Sequence, residues 1–191
     1  MLKHYLVLFF FGALLMTSCK KENSGSCEDV NCTENATCIN GICACDEGYE
    51  GYNCDITSRD KFIGVWQGKD TCHISFPGND QFSTTEIIEY ELVFSDTAST
   101  HLHVNMEIAD DDAGYTLYGT THQRILTIPN QNQTISLSDL PADIVGTVSG
   151  NGRMNQNQDQ IRLTLQVNGT VPIPNFGSVP ANCNCSGVLV R

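Results

Sequence analysis

The chain has 191 residues, with 22 acidic side chains against 10 basic ones and a formal net charge of −12. A surface of this sign repels phosphate backbones and anionic lipids, so we predict no nucleic-acid partner. The length leaves room for a small module and one further domain of about 130 residues with a core of its own.

The first residues have the pattern of a secretory leader. A short basic start precedes the apolar run 5–16, and Thr17-Ser18-Cys19 follows. The run is shorter than the roughly 20 apolar residues of a membrane-spanning helix. A basic start, a short apolar region and small residues before a cleavage site are typical of a signal peptide, which we predict at residues 1–18.

The segment that ends at Cys19 resembles the lipobox of bacterial lipoproteins. In that family the chain is cleaved before the cysteine, which carries acyl chains such as palmitate. The resemblance implies that Cys19 is lipidated and anchors the chain to a membrane. Lys20 stands where an aspartate retains some lipoproteins in the inner membrane, and Lys20-Lys21-Glu22 is similar to the tether of surface-displayed lipoproteins. We therefore expect an outer-membrane protein exposed at the cell surface, with residues 19–26 as a flexible tether. The alternative is an ordinary signal peptide that leaves Cys19 as a thiol.

Six cysteines follow with the spacing Cys27-x4-Cys32-x5-Cys38-x4-Cys43-x-Cys45-x8-Cys54. A segment this short cannot bury enough apolar surface to fold without covalent or metal support. The six half-cystines therefore predict a disulfide framework in an oxidising compartment, although spacing alone leaves every pairing open.

Residues 45–54 (CDEGYEGYNC) resemble the C-terminal half of an EGF-like domain, and the upstream spacing fits the same family. The resemblance implies an EGF-like domain at residues 27–55. It also implies the disulfides Cys27–Cys38, Cys32–Cys43 and Cys45–Cys54. Residues 23–26 lack the acidic residues of the calcium-binding form of this family, and the segment 39–42 is too short for it. We therefore predict that calcium is not bound.

From residue 58 onward, apolar and polar residues alternate as they do in half-buried strands. In residues 101–108, for example, Leu102, Val104, Met106 and Ile108 fall on one face. Turn residues separate these segments, and residues 57–62 are the one candidate helical turn. The pattern predicts a mainly β fold over residues 58–191, an antiparallel barrel or sandwich of about eight or nine strands. The strands are predicted at 65–73, 86–94, 101–108, 115–121, 124–128, 134–137, 144–154, 160–167 and 186–190.

Residues 62–66 (FIGVW) resemble the Gly-x-Trp motif in the first strand of lipocalin-like barrels. In that family the tryptophan closes one end of the barrel. The resemblance implies a lipocalin-like domain behind the EGF-like domain, although no residues match the later motifs of true lipocalins.

Three cysteines remain, namely Cys72, Cys183 and Cys185, and an odd number leaves one unpaired within the chain. In an up-and-down barrel the first and last strands are neighbours, so a bridge from Cys72 would lock the seam between them. Cys185 is the preferred partner because it adjoins the last strand, and Cys183 is the alternative. A zinc site formed by the three thiols with His73 is disfavoured because a secreted compartment favours oxidation.

Other clusters of polar residues are explained more simply as solvated faces. His101 and His103 share an outward strand face with Glu107, and Asp110-Asp111-Asp112 lacks the full ligand pattern of a calcium loop. We find no nucleophile elbow, zinc-protease helix, Walker loop or dinucleotide motif. The sequence therefore predicts no catalytic residue, no metal site, no cofactor and no enzyme activity.

These features favour a non-catalytic binding module, anchored by lipid at the outer membrane, with a protein or glycan partner. The alternative is a lipocalin-like carrier of a small apolar ligand. Most inward positions carry bulky side chains, which favours a filled barrel. By contrast, Ile144, Gly146, Val148 and Gly150 are smaller and either bend their strand or leave room inside.

Overall fold

The computed structural model describes residues 25–96, 102–109, 115–135, 142–173 and 177–191. Contacts along the chain divide it into two compact units, with the break between Ala44 and Cys45. The predicted signal peptide, Cys19 and most of the tether lie outside the described residues. The predicted domain boundaries at residues 55 and 58 stay predictions.

The first unit contains a hairpin of two short strands, β1 (Ala36–Ile39) and β2 (Ile42–Cys45). Asn40 and Gly41 form its turn, with φ angles of 53° and 79°. Two consecutive positive φ angles define the type I′ turn, in which Asn-Gly is the preferred dipeptide because it tolerates this backbone. The local sequence therefore determines the hairpin.

Residues 25–44 contain no fully buried side chain, and two disulfides constrain them, while a third lies at the start of the second unit. The Cα atoms of the three bonded pairs lie 5.9, 5.6 and 5.2 Å apart, inside the usual range. They are the pairs that the EGF-like resemblance implies. The bonds are Cys27–Cys38, Cys32–Cys43 and Cys45–Cys54.

The second unit begins with a small antiparallel pair, β3 (Tyr49–Glu50) and β4 (Ile56–Thr57). A 3-10 turn at Arg59–Lys61 follows. It lies inside the segment predicted as a helical turn, but Thr57 belongs to β4 instead.

The remaining strands form a closed antiparallel barrel of eight strands, which confirms the predicted fold class. Each strand pairs with the next along the chain, and the last pairs with the first. A second 3-10 turn, Asp80–Phe82, precedes the second barrel strand. The strands are β5 (Gly64–Ser75), β6 (Thr84–Ser95), β7 (His103–Ala109), β8 (Tyr115–His122), β9 (Ile125–Ile135), β10 (Ile144–Met154), β11 (Gln160–Ile173) and β12 (Gly177–Val190).

One predicted division is wrong, because the segments 124–128 and 134–137 are not separate strands. β9 runs continuously through Pro129, and its register against β10 shifts between Val148 and Gly150. A β-bulge tolerates a proline because one residue there makes no ladder hydrogen bond. The sequence pattern at Pro129-Asn130 therefore marks a bulge and not a turn. Residues 136 and 137 lie outside the described residues.

A glutamine side chain maintains the sheet next to this bulge. The backbone N–H of Tyr118 in β8 donates to Gln131 Oε1 at 3.0 Å, and Gln131 Nε2 donates to the Tyr118 carbonyl at 2.8 Å. The amide therefore takes the place of a strand neighbour where the backbone ladder between β8 and β9 is interrupted.

The last two strands are longer than predicted. β11 and β12 pair along their whole length, whereas β12 pairs with β5 from Asn182 onward. Residues 177–181 therefore form the end of a hairpin that pairs with one neighbour. A proline is tolerated on such an edge, which explains Pro180 within a strand.

Aromatic side chains close one end of the barrel core. Trp66 is fully buried, and its Nε1 donates to the Phe62 carbonyl at 2.8 Å. The Phe94 ring lies 6.0 Å from Phe62 and 6.4 Å from Trp66. The Arg191 guanidinium lies 4.5 Å from the centre of the Trp66 ring, a cation–π contact, and also donates to the Lys61 carbonyl at 3.2 Å. Arg191 therefore covers the tryptophan from the last strand, a role that no sequence motif indicated.

Candidate functional site

Three sulfur atoms meet at the seam where the barrel closes. Cys72 of β5 and Cys185 of β12 are directly opposite in the register, and they are bonded. This is the pairing that the sequence favoured. Cys183 lies two residues before Cys185 and is free, with its Sγ 3.4 Å from Cys185 Sγ. The disulfide therefore links the first barrel strand covalently to the last.

The free thiol of Cys183 is chemically protected by its surroundings. Burial raises its pKa to about 11, and the nearby Glu86 carboxylate adds to this shift. Because the thiolate is the reactive form of cysteine, a buried thiol with a raised pKa is inert near neutral pH. We therefore assign Cys183 a packing role.

The three sulfur atoms lie within 4.8 Å of one another, the spacing of metal ligands. Two of them are bonded to each other, however, so zinc would require that bond to be reduced first. His73, the fourth ligand considered, is on the outer face, where its Nδ1 lies 3.1 Å from Thr85 Oγ1. At the seam, Cys72 and Cys185 therefore form a structural disulfide and not a metal site.

Two glycines of β10 lie against the backbone of the neighbouring strand. A Cβ atom added at Gly146 would lie 2.2 Å from the Asn168 carbonyl oxygen. At Gly150 it would lie 2.3 Å from the Thr164 carbonyl oxygen. The backbone of β11 occupies the space that these side chains would need, so the glycines serve close strand packing.

Many of the other inward positions described carry large side chains, whereas Gly68, Gly119 and Ala181 are small. The largest that are fully buried include Trp66, Phe94, Leu92, Met106 and Leu117. An eight-stranded barrel is narrow enough for side chains to fill it. The described interior therefore contains a hydrophobic core with many large side chains.

One acidic side chain lies within this core, and the sequence analysis overlooked it. Asp70 is 2% exposed, and its Oδ1 has no hydrogen-bond partner among the described residues. Burial raises the pKa of the Asp70 carboxyl, and the hydroxyl of Tyr90 lowers it by less. The alternation of β5 places Asp70 on the inward face with Trp66 and Cys72, so the sequence pattern could have predicted its burial.

The outer face of β12, β5 and β6 forms an open groove with a volume of about 820 Å³. Aliphatic side chains lie along its β12 side, where Val188 and Val190 are 37% and 40% exposed. Polar side chains line most of the remainder. The groove residues are Gln67, Gly68, Lys69, Thr71, Glu89, Tyr90, Glu91, Ser186, Gly187, Val188 and Val190.

The groove contains one ion pair and one further carboxylate, which accepts a hydrogen bond from a neutral amide. Lys69 Nζ lies 2.6 Å from Glu89 Oε1, and Gln67 Nε2 donates to Glu91 Oε2 at 2.9 Å. The hydrogen bond from Lys69 lowers the pKa of the Glu89 carboxyl. Exposed ion pairs of this kind contribute little to stability. They hold the donors and acceptors of the groove in an ordered pattern.

The buried Ser58 links the segment around the last disulfide to the loop between β8 and β9. Ser58 is fully buried, and its hydroxyl donates to Glu50 Oε1 at 3.1 Å while accepting the backbone N–H of Gln123 at 2.7 Å. Lys61 forms an ion pair with the same Glu50 carboxylate. Residues 45–61 are therefore anchored to the loop between β8 and β9.

The other candidate ligands do not form a site in the described part of the chain. His103 and Glu107 lie on β7, whereas His101 and Asp110-Asp111-Asp112 fall outside the described residues. Among the residues that the structure describes, the three seam cysteines are the one close grouping of metal-binding side chains.

Comparison with protein-family models found no match, and comparison with curated proteins found no similar chain. No helix within the described ranges is long and apolar enough to cross a membrane.

Proposed function

We propose that this chain is a lipid-anchored, non-catalytic binding module displayed on a bacterial outer membrane. The observation that carries the proposal is the hydrophobic core inside the barrel. Bulky side chains at many inward positions favour a partner that binds on the outer surface. The alternative is a carrier with an apolar ligand in the barrel, which requires a cavity among these inward side chains.

The groove on β12, β5 and β6 supports this proposal. It combines exposed aliphatic side chains with ordered polar groups, the mixture that fixes both contact and orientation in a binding surface. It also lies beside the Cys72–Cys185 bond, which links two of the three strands that form it. A covalently joined surface loses less conformational freedom when a partner binds.

The anchor and the EGF-like domain complete the proposed arrangement. Acylation of Cys19 would place the chain at the membrane, since several acyl chains on one residue hold a protein there stably. The disulfide-rich segment that follows would then act as a compact spacer between lipid and barrel. The proposed anchor follows from the resemblance to the lipobox, and the proposed spacer follows from the resemblance to EGF-like domains.

Fatty-acid labelling in the native host tests the anchor. The wild-type chain is expected to incorporate labelled palmitate and the Cys19→Ala variant none. Protease added to intact cells should cleave the wild-type chain at the surface. Labelling that persists in the variant, or a chain protected until the outer membrane is broken, would contradict the proposal.

The fluorescence of Trp66 tests the filled barrel. It is the single tryptophan of the chain and lies fully buried at one barrel end. A carrier should change its emission saturably as fatty acids or other apolar probes are added. We expect no saturable change with such probes, because they have no interior site to enter.

A further inference from the structure

Two arginines face each other on the outer surface of the barrel. Arg153 of β10 pairs directly with Arg162 of β11, and both side chains are exposed. Neighbouring strands are about 4.8 Å apart, so the two positive charges project from adjacent points. Like charges directly opposite each other destabilise a sheet. The repulsion between Arg153 and Arg162 therefore lowers the stability of the sheet.

Nearby acidic groups do not offset this repulsion. The ion pairs made by described residues involve Arg59, Lys61 and Lys69, and neither member of the facing pair takes part in one. This occurs in a chain with 22 acidic residues and a net charge of −12. The two guanidinium groups are thus available to an external anion.

The register extends this pair into a row across the sheet. Ile125 of β9 lies beside Arg153, and Val188 of β12 lies beside Arg162. Both aliphatic side chains are exposed, by 47% and 37%. We call Ile125, Arg153, Arg162 and Val188 the arginine row. Since Val188 also lines the groove, the row continues into it.

On β10 and β11, the side chains beside the two arginines are uncharged and capable of hydrogen bonding, whereas Val188 at the end of the row lies beside Lys69. Asn151 and Thr164 face each other two residues along the same two strands, and Gln160 lies on the other side of Arg162. Amides and hydroxyls of this kind suit the hydroxyl groups of a sugar. Guanidinium groups suit an oxyanion, which they bind through paired hydrogen bonds.

We propose that the arginine row binds an acidic glycan, with a carboxylate or sulfate group held between Arg153 and Arg162. This inference rests on the proposed function and names its partner class. The sugar hydroxyls lie against the side chains of Asn151, Thr164 and Gln160.

Other partners fit this surface less well. A peptide that adds a strand needs a free sheet edge, and β10 and β11 lie inside a closed barrel. Nucleic acids and anionic membranes present dense negative charge, which a chain of net charge −12 repels. A glycan with separated acidic groups can place one of them between the two arginines and bring few other negative charges to the surface.

Calorimetry with the full lipidated chain in detergent tests the proposal. The probes are a hyaluronan tetrasaccharide and a chondroitin sulfate tetrasaccharide, with maltotetraose as the neutral comparison. We expect saturable binding of at least one acidic probe and none of maltotetraose. The variants Arg153→Gln and Arg162→Gln should each weaken binding by about tenfold or more, because charge-assisted hydrogen bonds are lost.

The matched control is Gln166→Glu, an exposed position on β11 that changes the net charge by the same amount as each arginine variant. It should bind the acidic probe as the wild type does. Thermal unfolding of the arginine variants should be unchanged or shifted upward, since each removes one of two facing positive charges. A loss of binding in folded variants then reflects the site itself.

Several results would overturn the inference. These are no binding of either acidic probe, equal weakening by Gln166→Glu, or binding confined to inorganic sulfate or to phosphatidylglycerol vesicles. None of them bears on the anchor or on the filled barrel, which the palmitate and Trp66 experiments test separately.

Discussion

At the scale of single residues, Cys183 links the chemistry of the seam to the stability of the barrel. Its thiol is 2% exposed, and burial raises its pKa from an ordinary 9.0 to about 11. The native chain therefore keeps this proton at a pH where the unfolded chain has lost it. Stability is then highest below about pH 9 and falls as the pH rises through the raised value.

The variant Cys183→Ala tests this effect. Between about pH 8 and about pH 11, the wild type should lose up to about 3 kcal/mol of unfolding free energy that the variant retains. At neutral pH the variant should be less stable than the wild type, since it leaves a small cavity in the core. Urea unfolding at several pH values measures both effects. Parallel pH profiles for the two proteins would show that the thiol does not titrate as described.

Asp70 is a second residue whose burial disfavours its ionised form. Because burial raises its pKa, the stability that this carboxyl contributes is present at low pH and declines as the pH rises through the raised value. The variant Asp70→Asn should therefore gain stability relative to the wild type at pH 7 and gain nothing at pH 3. Thermal unfolding at the two values measures this difference. An equal change at both would contradict the assignment.

At the scale of elements, the seam between β5 and β12 is joined both by hydrogen bonds and by the Cys72–Cys185 disulfide. The bond closes a loop with a sequence separation of 113 residues. In the chain-entropy model such a loop stabilises the fold by roughly 4–5 kcal/mol. Its removal should leave the strand pairing intact, because the ladder continues on both sides of the cysteines.

The double variant Cys72→Ala/Cys185→Ala tests whether the disulfide stabilises the barrel without being needed for strand pairing. We expect a barrel with an unchanged far-ultraviolet spectrum and a loss of about 2–5 kcal/mol in unfolding free energy. Cys183→Ala, which leaves the disulfide in place, is the control. A double variant that fails to form the barrel would show that the bond is required for folding itself.

The β10–β11 pair depends on glycine at close approaches of the two backbones. Gly146→Ala should destabilise the barrel by about 1–3 kcal/mol, because the added methyl meets the rigid Asn168 carbonyl. Gly152→Ala should cost less, since its Cβ would lie 3.2 Å from a side-chain atom of Ile161. Equal stabilities of the Gly146→Ala and Gly152→Ala variants would contradict the close packing of the β10 and β11 backbones at Gly146.

At the scale of the whole molecule, alternation along the chain predicted most of what positions the strands. It placed Val104, Met106 and Ile108 inside the barrel, where they are buried. It failed at Pro129, because a bulge and a turn have the same local composition. The disulfide pairs in residues 27–54 followed from a family resemblance and not from spacing.

The candidate binding surface could not be predicted from the sequence in the same way. Arg153 and Arg162 become neighbours through the register of β10 against β11, and the contact of Arg191 with Trp66 depends on barrel closure. Local patterns do not encode such pairings between distant segments. The groove, too, exists only when β12 lies beside β5.

Native mass spectrometry of the chain, purified from its own host without reduction, tests the central claim that partners bind outside a filled barrel. The native and denatured spectra of one sample are compared. We predict the same protein mass in both, lower by two hydrogens for each of the four disulfides. A small apolar molecule present in the native spectrum and lost on denaturation would show a ligand inside the barrel and contradict the account.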